Sequence, residues 1–240
     1  MKQSSDVTRV LIHGASGRMG QALLRLLATR EDLRAVAAVS RSKPAQRVVD
    51  GLPYFAVTEL HGVPAFDVAI DFSLPDGLDA ILGLCVERGV PLVSGTTGLS
   101  ESGERALDAA ATTVPVLLAA NFSLGVTVLG DLVERAARLL QTWDCDIVES
   151  HHKHKLDAPS GTALALGARA QQGGAQPSYA SLRAGDIVGE HTVQFAGPGE
   201  RIELVHRATS RDVFARGALH AAAWLAGQAP GRYQLRDMLR

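Results

Sequence analysis

The stretch that decides the fold is RVLIHGASGRMGQALLRLL, Arg9–Leu27. A short apolar run typical of a buried strand leads into Gly14, Gly17 and Gly20, which are spaced G-x-x-G-x-x-G, and apolar residues at helical spacing follow. Gly14 would permit a sharp turn, Gly17 the close approach of a pyrophosphate, and Gly20 close packing of helix on strand. This context favours a dinucleotide-binding turn over the alternative, a tight strand–helix turn without a ligand.

The rest of the first half repeats this rhythm. Short β-branched runs alternate with helical patterns, Pro75 stands where a helix would begin, and Gly89 stands where it would end. Alternating strands and helices predict a parallel sheet with helices on both faces. Residues 44–64 carry no clear period and are expected to be irregular.

The pattern changes after Asn121. An amphipathic helix comes first, followed by a strand DCDIVESHHKH, a helix SGTALALGARA, a loop QQGGAQPS, two long strands GDIVGEHTVQFAG and ERIELVHRAT, a closing helix and a short tail. We therefore expect an α/β protein of two domains. Residues 1–122 plus 212–240 would form a Rossmann-like dinucleotide-binding domain, and residues 123–211 a smaller α+β domain with a mixed open sheet for substrate binding and oligomerisation.

Composition narrows the class of protein. The chain is 46% hydrophobic and 20% charged with a net charge of −1, so no whole-chain field attracts nucleic acid or an anionic membrane. Its two cysteines, Cys85 and Cys145, have neither a disulfide framework nor metal-ligand spacing, which favours a reducing, cytoplasmic location and no metal site. No apolar run reaches the roughly 18–20 residues that span a bilayer.

The second strand ends in VSRSK, at the position where dinucleotide-binding folds discriminate NADH from NADPH. An acidic residue here would bind a ribose 2′-hydroxyl, whereas Ser40, Arg41 and Lys43 suit a 2′-phosphate, so NADPH is expected to be accepted well, with NADH also used. Arg41 and Lys43 could instead be ordinary solvated charges. Two later strand ends, SGTTG and AANFS, offer hydroxyls and an amide to a nicotinamide or a substrate, although each could equally be a satisfied turn.

The segment ESHHKHKLDAPSGTA, Glu149–Ala163, concentrates three histidines and two lysines in five residues. Zinc is disfavoured because the lysines would repel a cation. Ser160 is a good N-cap, and a helix start beside these cations would attract a carboxylate. A regular strand would separate the cluster onto two faces, with His151, Lys153 and Lys155 on one and His152 and His154 on the other.

Together, GASGRMG, SGTTG, AANFSLGV, ESHHKHKLDAPSGTA and RAGDIVGEHTVQF resemble the 4-hydroxy-tetrahydrodipicolinate reductase (dihydrodipicolinate reductase) family nearly end to end. The resemblance implies a homotetramer that uses NADPH or NADH to reduce a small cyclic dicarboxylate imine in the diaminopimelate route to lysine. Against many relatives, this chain has Ser40 in place of an acidic residue and a shortened segment around 171–182.

The family roles transfer onto matching positions. The resemblance implies His151 and Lys155 as catalytic acid/base groups and His152, Ser160, Gly161 and Thr162 as substrate contacts, whereas Lys153 and His154 are expected to be structural or solvent-facing. The implied cofactor contacts are Gly14, Ala15, Ser16, Gly17, Arg18, Met19, Ser40, Arg41, Gly95, Thr96, Thr97, Ala119, Ala120, Asn121 and Phe122. Two alternatives stay open: another two-domain dehydrogenase of the aspartate or homoserine type, and a non-catalytic cofactor-binding protein.

Overall fold

The structure is a computed structural model that describes residues 7–42 and 45–239. Its strands are β1 Thr8–His13, β2 Leu33–Ser40, β3 Val48–Val49, β4 Leu52–Ala56, β5 Val68–Asp71, β6 Leu92–Ser94, β7 Pro115–Leu118, β8 Asp144–His151, β9 Pro177–Arg183, β10 Gly189–Gly197, β11 Glu200–Ala208 and β12 Gly231–Tyr233. Its helices are α1 Arg18–Leu27, α2 Pro75–Arg88, α3 Glu101–Ala111, α4 Leu124–Leu139, α5 Gly161–Gln172 and α6 Asp212–Leu225, with 3₁₀ turns at Val57–Gly62 and Leu235–Leu239.

Contacts between residues divide the chain into two compact units. The first unit comprises the described residues up to Phe122 and from Phe214 onwards, and the second unit is Ser123–Val213. The first unit carries one sheet in the order β12-β7-β6-β5-β1-β2-β4-β3, parallel throughout except for the antiparallel β3–β4 pair. Central strands such as β1 and β5 are buried along most of their length, as strands covered on both faces must be. The predicted parallel α/β architecture is confirmed.

Local signals set the helix ends in the first unit. Pro75 is the first residue of α2, and Gly89 ends it in the left-handed conformation with φ 65°. Ser100 caps α3 by accepting a hydrogen bond from the Gly103 backbone N–H at 3.3 Å. Helix α1 ends at Leu27, the last residue of the apolar helical pattern.

Two short structures in the first unit contradict the sequence predictions. Within residues 45–64, which were expected to be irregular, β3 and β4 form a hairpin around Asp50 and Gly51, both with positive φ (49° and 80°). An Asp-Gly pair between apolar residues is a signal for a two-residue hairpin turn, because both positions require positive φ. The tail also contains β12, which extends the sheet by pairing in parallel with β7.

The second unit is built on a mixed sheet in the order β11-β10-β8-β9, in which β8 runs parallel to β9 and antiparallel to β10. Helices α4 and α5 pack beside it, with a core that includes Val133, Ile147 and Phe195. The mixed sheet confirms the predicted architecture. The loop predicted up to residue 178 was wrong, because β9 begins at Pro177, and β10 begins at Gly189 rather than at residue 185.

Candidate functional site

In the first unit, the predicted cofactor residues lie along one edge of the sheet. The parallel strands β2, β1, β5, β6 and β7 are neighbours, and their carboxyl ends lead into Arg41, Gly14–Met19, Phe72, Gly95–Thr97 and Ala119–Phe122. The chain runs from β1 to β2 on one side, then returns to place β5 on the other side of β1. This reversal is the point at which open α/β sheets bind ligands.

The glycine loop has the geometry that its spacing predicts at two positions. Gly14 has φ +79°, and a Cβ there would lie 2.5 Å from the Phe72 carbonyl oxygen. A Cβ on Gly20 would lie 2.4 Å from the Gly14 carbonyl oxygen, so only glycine lets α1 start this close to the turn. Gly17 is the N-cap of α1, and no side chain caps the helix there. An uncapped helix start without acidic residues in its first turn suits a pyrophosphate.

Exposure separates the remaining residues of this loop. Ala15 is fully buried and donates its backbone N–H to Val39 O at 2.9 Å, which ties the loop to β2. Ser16, Gly17 and Arg18 are exposed, and Met19 is half-buried. The loop therefore presents Ser16–Arg18 to solvent while its ends are anchored in the sheet.

The end of β2 has two different environments. Ser40 is buried with 6% of its surface exposed, while Arg41 is exposed. Lys43, the other predicted 2′-phosphate contact, lies outside the described residues. Among the described residues at this strand end, Arg41 is thus the positively charged side chain that is exposed to solvent.

A buried polar network that the sequence analysis missed organises the same edge. Asp71, fully buried at the end of β5, accepts hydrogen bonds from Ser94 Oγ and Thr96 Oγ1, each at 2.8 Å, and from the Ser73 N–H at 3.0 Å. His13 Nδ1 lies 2.8 Å from Oδ1 of Asp71, the oxygen that also accepts the Ser73 N–H. Burial opposes ionisation, but the hydrogen bond from His13 and those from Ser73 and Thr96 lower the pKa of Asp71. One carboxylate thus joins the ends of β1, β5 and β6.

This network changes what the SGTTG loop can offer. The Thr96 hydroxyl is directed at Asp71, so its contribution to a ligand would come through its backbone, whereas the Thr97 side chain is exposed. Gly95 lies against Phe72, where a Cβ would be 2.2 Å from the ring. Phe72 in turn packs against Phe122, with ring centroids 5.4 Å apart.

The AANFS loop follows β7 and is anchored at both ends. Ala119 donates its N–H to Ser94 O at 3.1 Å, and the Phe122 ring is buried. Between them, Ala120 is exposed and Asn121 is half-buried. The exposed centre of this loop is the part that a ligand at the sheet edge could contact.

The second unit carries the cationic segment. β8 ends at His151, and residues 152–155 form a turn in which Lys155 N donates to His152 O at 3.1 Å. The strand predicted through residue 154 was therefore too long, and the alternation of the cluster between two strand faces was wrong. The Lys153 N–H donates to Gly185 O at 3.2 Å, so the loop after β9 holds the turn in place.

Glu149 forms the most connected buried group of this unit. Its Oε2 lies 2.5 Å from His151 Nδ1, and Arg183 donates two hydrogen bonds to the two carboxylate oxygens at 2.8 and 2.7 Å. Burial opposes ionisation of this carboxyl group, but hydrogen bonds from Arg183, Ser181 and His151 lower the pKa of Glu149 to about 2. Glu149 is therefore a carboxylate at neutral pH, and the ring nitrogen facing it carries the hydrogen.

Lys155 and His152 occupy different surroundings. The Lys155 ammonium donates to both oxygens of Asp157, at 2.7 and 2.8 Å, and this bond lowers the pKa of Asp157. His152 Nε2 lies 3.1 Å from Arg211 Nη2. Loss of water contact, and then the charge of Arg211, lower the pKa of His152.

An open cleft of about 550 Å³ lies beside this turn. It is lined by His152, Lys153, His154, Gly185, Asp186 and Arg211. Lys153 and His154 are both exposed. Lys153 and Arg211 outweigh the single carboxylate of Asp186, so the cleft has a net positive charge that suits an anion.

The start of α5 follows the turn. Ser160 caps the helix, since its Oγ accepts the Ala163 N–H at 3.2 Å, as predicted. Its own N–H donates to Glu149 Oε1 at 3.2 Å, and its hydroxyl lies 3.1 Å from His191 Nε2. Gly161 is exposed and Thr162 is half-buried at this helix start. Ser160, one of the predicted substrate contacts, is thus connected to His151 through the Glu149 carboxylate.

Sequence reasoning missed three functional candidates. Glu149 lies in the cationic segment but belongs to no motif, and Arg183 and Arg211 are distant along the chain from the residues that they contact. The parallel pairing of β8 with β9, which sets Arg183 opposite His151, could not be foreseen without β9 itself.

Across 7–42 and 45–239, no helix is both long enough and apolar enough to cross a membrane. Among the side chains of the same ranges, no group of three or more His, Cys, Asp or Glu residues could hold a metal ion.

A parallel sheet with a glycine turn at its reversal point, joined to an α+β unit with a histidine–carboxylate pair, defines a two-unit dinucleotide-binding class of protein. Family models described as dihydrodipicolinate reductase, N-terminus and C-terminus, match residues 8–122 and 125–239. The chain belongs to the dihydrodipicolinate reductase family, which confirms the resemblance read from the motifs.

Individual relatives agree with this assignment. The chain is 71% identical to the 4-hydroxy-tetrahydrodipicolinate reductase of Stenotrophomonas maltophilia (strain R551-3), over 97% of this chain and 98% of that protein. It is 66% identical to the enzyme of the same name from Xanthomonas campestris pv. campestris (strain B100), over 98% of this chain and 99% of that one.

A solved structure shares the fold. The dipicolinate-bound dihydrodipicolinate reductase of Paenisporosarcina sp. TG-14 matches with a TM-score of 0.83 at 22% identity, over 95% of this chain and 98% of that chain. At this identity the similarity concerns the fold alone.

Proposed function

We propose that this chain catalyses the NAD(P)H-dependent reduction of 4-hydroxy-tetrahydrodipicolinate to tetrahydrodipicolinate in lysine biosynthesis through diaminopimelate. The observation that carries the proposal is the folded cationic segment: a histidine ring bound to a buried carboxylate, a lysine-bearing turn and a serine-capped helix start lie in one unit of a chain that belongs to this family. Family membership favours this function over an aspartate- or homoserine-type dehydrogenase and over a non-catalytic binding protein.

The first unit is assigned to the cofactor and the second to the substrate. Gly14–Met19 would hold the pyrophosphate, and Gly95–Thr97 with Ala119–Phe122 would contact the nicotinamide. The fixed backbone of Gly14 and Gly20 and the uncapped start of α1 support this assignment. When bound, the reduced nicotinamide supplies a hydride to ring carbon C4 of the substrate.

Residues of the second unit handle charge and protons. Loss of the 4-hydroxyl group as water would give the ring its conjugated C=C–C=N system. Hydride addition at C4 would then leave negative charge along that system, and the Lys155 ammonium would stabilise this charge and donate a proton to the ring. His151 would relay a proton through Nε2, since Nδ1 is bound to Glu149. His152, the Ser160 hydroxyl and the Gly161 and Thr162 backbone would anchor the substrate carboxylates and so orient the ring.

The decisive assay measures NADPH oxidation by the purified protein with and without the freshly made cyclic product of the preceding synthase step. We expect turnover only with that product.

Lys155→Ala should lower kcat by about 100-fold or more, because general acid catalysis contributes about that much. Fluorescence titration should show unchanged NADPH binding by this variant. Arg135→Ala, which removes an exposed cation from α4, serves as the control and should keep wild-type kcat. Absence of substrate-dependent oxidation by the wild type would exclude the proposed activity.

NADPH is proposed as the preferred cofactor. Arg41 is exposed where a 2′-phosphate would lie, and no acid occupies position 40, since Ser40 is there. Arg41→Ala should lower kcat/KM for NADPH about tenfold, the effect of roughly 1.4 kcal/mol, and leave NADH nearly unchanged. Arg105→Ala, on the exposed face of α3, is the matched control. An equal loss for both cofactors would refute a 2′-phosphate role for Arg41.

Assembly and location complete the proposal. The edge strands β9 and β11 expose Tyr179, Leu182, Ile202 and Val205, and this apolar surface supports assembly into a homotetramer through the second unit. Cys85 and Cys145 are both free and buried, which suits a reducing cytoplasm.

A further inference from the structure

Glu149 has a carboxylate whose two oxygens are both committed inside the second unit. The residue is 1% exposed, Oε2 faces His151 Nδ1 at 2.5 Å, and Oε1 accepts the Ser160 N–H at 3.2 Å. Arg183 closes the arrangement with its two hydrogen bonds. Three segments that are separate in sequence, namely β8, β9 and the start of α5, therefore meet on this one carboxylate.

Arg183 explains why a carboxylate is stable in so buried a place. A buried carboxylate without a partner is costly, and a bidentate guanidinium compensates both its charge and its hydrogen-bonding capacity. Arg183 also donates to the Asp157 carbonyl oxygen at 2.6 Å, which connects the clamp to the segment that follows Lys155. The ion pair thus fixes Glu149 and holds the cationic turn beside it.

The carboxylate has a specific consequence for the His151 ring. Because an ionised carboxylate only accepts hydrogen bonds, Nδ1 must carry the hydrogen, and Nε2 remains as the atom that exchanges a proton. The charged or titratable groups around this ring within the second unit are Glu149 on its own strand, Arg183 on β9, His191 on β10 and His152 with Lys155 in the turn.

The same carboxylate fixes the start of α5. It binds the N–H of Ser160, whose hydroxyl caps the helix by accepting the Ala163 N–H. A shift of Ser160 would move the backbone of Gly161 and Thr162, the proposed carboxylate contacts. The distance between the proton-exchanging ring and the anion-binding helix start is therefore set through Glu149.

We propose that Glu149, held by Arg183, is a positioning residue that fixes both the tautomer of His151 and the start of α5. The inference rests on the proposed reductase function and assigns a role to two residues outside the proposed substrate and cofactor contacts. If Glu149 only stabilised the fold, removing its negative charge at constant shape would affect folding alone. In a positioning role, the same change also alters the catalytic rate and its pH dependence.

The test is Glu149→Gln in the full-length protein. We expect kcat to fall roughly 10- to 100-fold, as for other residues that orient a functional histidine, with a shift of the pH–rate profile toward lower pH and an increase in KM for the dicarboxylate. The matched control is Glu190→Gln, on neighbouring β10, which removes a carboxylate bound to exposed Arg207 and should leave the profile unchanged. A wild-type pH profile and kcat in Glu149→Gln would overturn the proposal.

A second measurement keeps the inference separate from the assay. With ¹⁵N-labelled histidine, NMR should show His151 of the wild type as the Nδ1–H tautomer, and Glu149→Gln should populate the other tautomer as well. If wild-type protein showed no turnover, the proposed function would fail while this result still tested the positioning role.

Should Glu149→Gln not fold, Arg183→Lys replaces it, with an expected kcat loss of about tenfold. Wild-type kcat and an unchanged KM in Arg183→Lys would count against the proposed role of the Glu149–Arg183 pair.

Discussion

His151 and His191 are neighbours that experience opposite influences. Their rings lie edge to face with centroids 5.2 Å apart. Glu149 binds His151 directly, whereas burial, and then electrostatic repulsion from His151, lower the pKa of His191 to about 4. His191 is consequently neutral at physiological pH, and its Nε2 lies within hydrogen-bond distance of the Ser160 hydroxyl at 3.1 Å, so it supports the helix cap without adding charge to the cationic segment.

A neutral buried histidine makes folding stability depend on pH. Between about pH 6.5 and pH 4 the unfolded chain protonates this residue while the folded protein does not, so the free energy of unfolding falls as pH falls through that window. From pH 7.5 to pH 5 the loss due to His191 should be about 2 kcal/mol, since one pKa unit corresponds to roughly 1.4 kcal/mol. The stabilisation from Glu149, whose pKa is lowered to about 2, is fully present above about pH 4.5 and is lost only as the pH falls from there towards 2, outside this interval.

Urea unfolding at pH 7.5 and pH 5 measures this contribution. We expect the free energy of unfolding of the wild type to drop by about 2 kcal/mol more over this interval than that of His191→Gln. His220→Gln changes an exposed histidine of α6 and should keep the wild-type difference. Equal drops in wild type and His191→Gln would show that His191 is not the group that titrates.

At the scale of elements, the sequence predicted those structures whose signals are local. The first strand, its glycine turn, α2 with Pro75 and Gly89, and the Ser160 cap depend on neighbours within a few residues, and all are present. β9 was missed because it is an edge strand with almost every side chain exposed, so it lacks an apolar period. β12 is three residues long and exists through its pairing with β7.

The candidate site shows the same division. The histidine and lysine block could be recognised as an anion-binding segment from its composition and its cap. Its partners could not, because strand pairing brings Arg183 to Glu149 across 34 positions of sequence. The buried Asp71 network at the sheet edge is likewise assembled from the ends of β1, β5 and β6. In the sequence its members are isolated polar residues, and nothing there indicates that they are in contact.

At the scale of the whole molecule, each unit has its own hydrophobic core. The first core surrounds the parallel sheet and the second lies between the mixed sheet and α4 and α5. The second unit nevertheless leaves large apolar side chains in both of its edge strands accessible, with Ile202 42% and Leu182 56% exposed. Edge strands of this kind are usually covered in the native state, because their unpaired backbone groups invite association.

Light scattering coupled to size-exclusion chromatography tests whether copies of this chain provide that cover. A homotetramer should have a mass near 101 kDa, four times the 25.3 kDa chain. Ile202→Glu on β11 should reduce the mass, since burying an unpaired carboxylate in an interface is unfavourable. Leu139→Glu changes a more exposed leucine at the end of α4 in the same unit and should leave the mass unchanged. A wild-type mass of one chain, or a tetramer indifferent to Ile202→Glu, would show that the β11 edge does not mediate assembly.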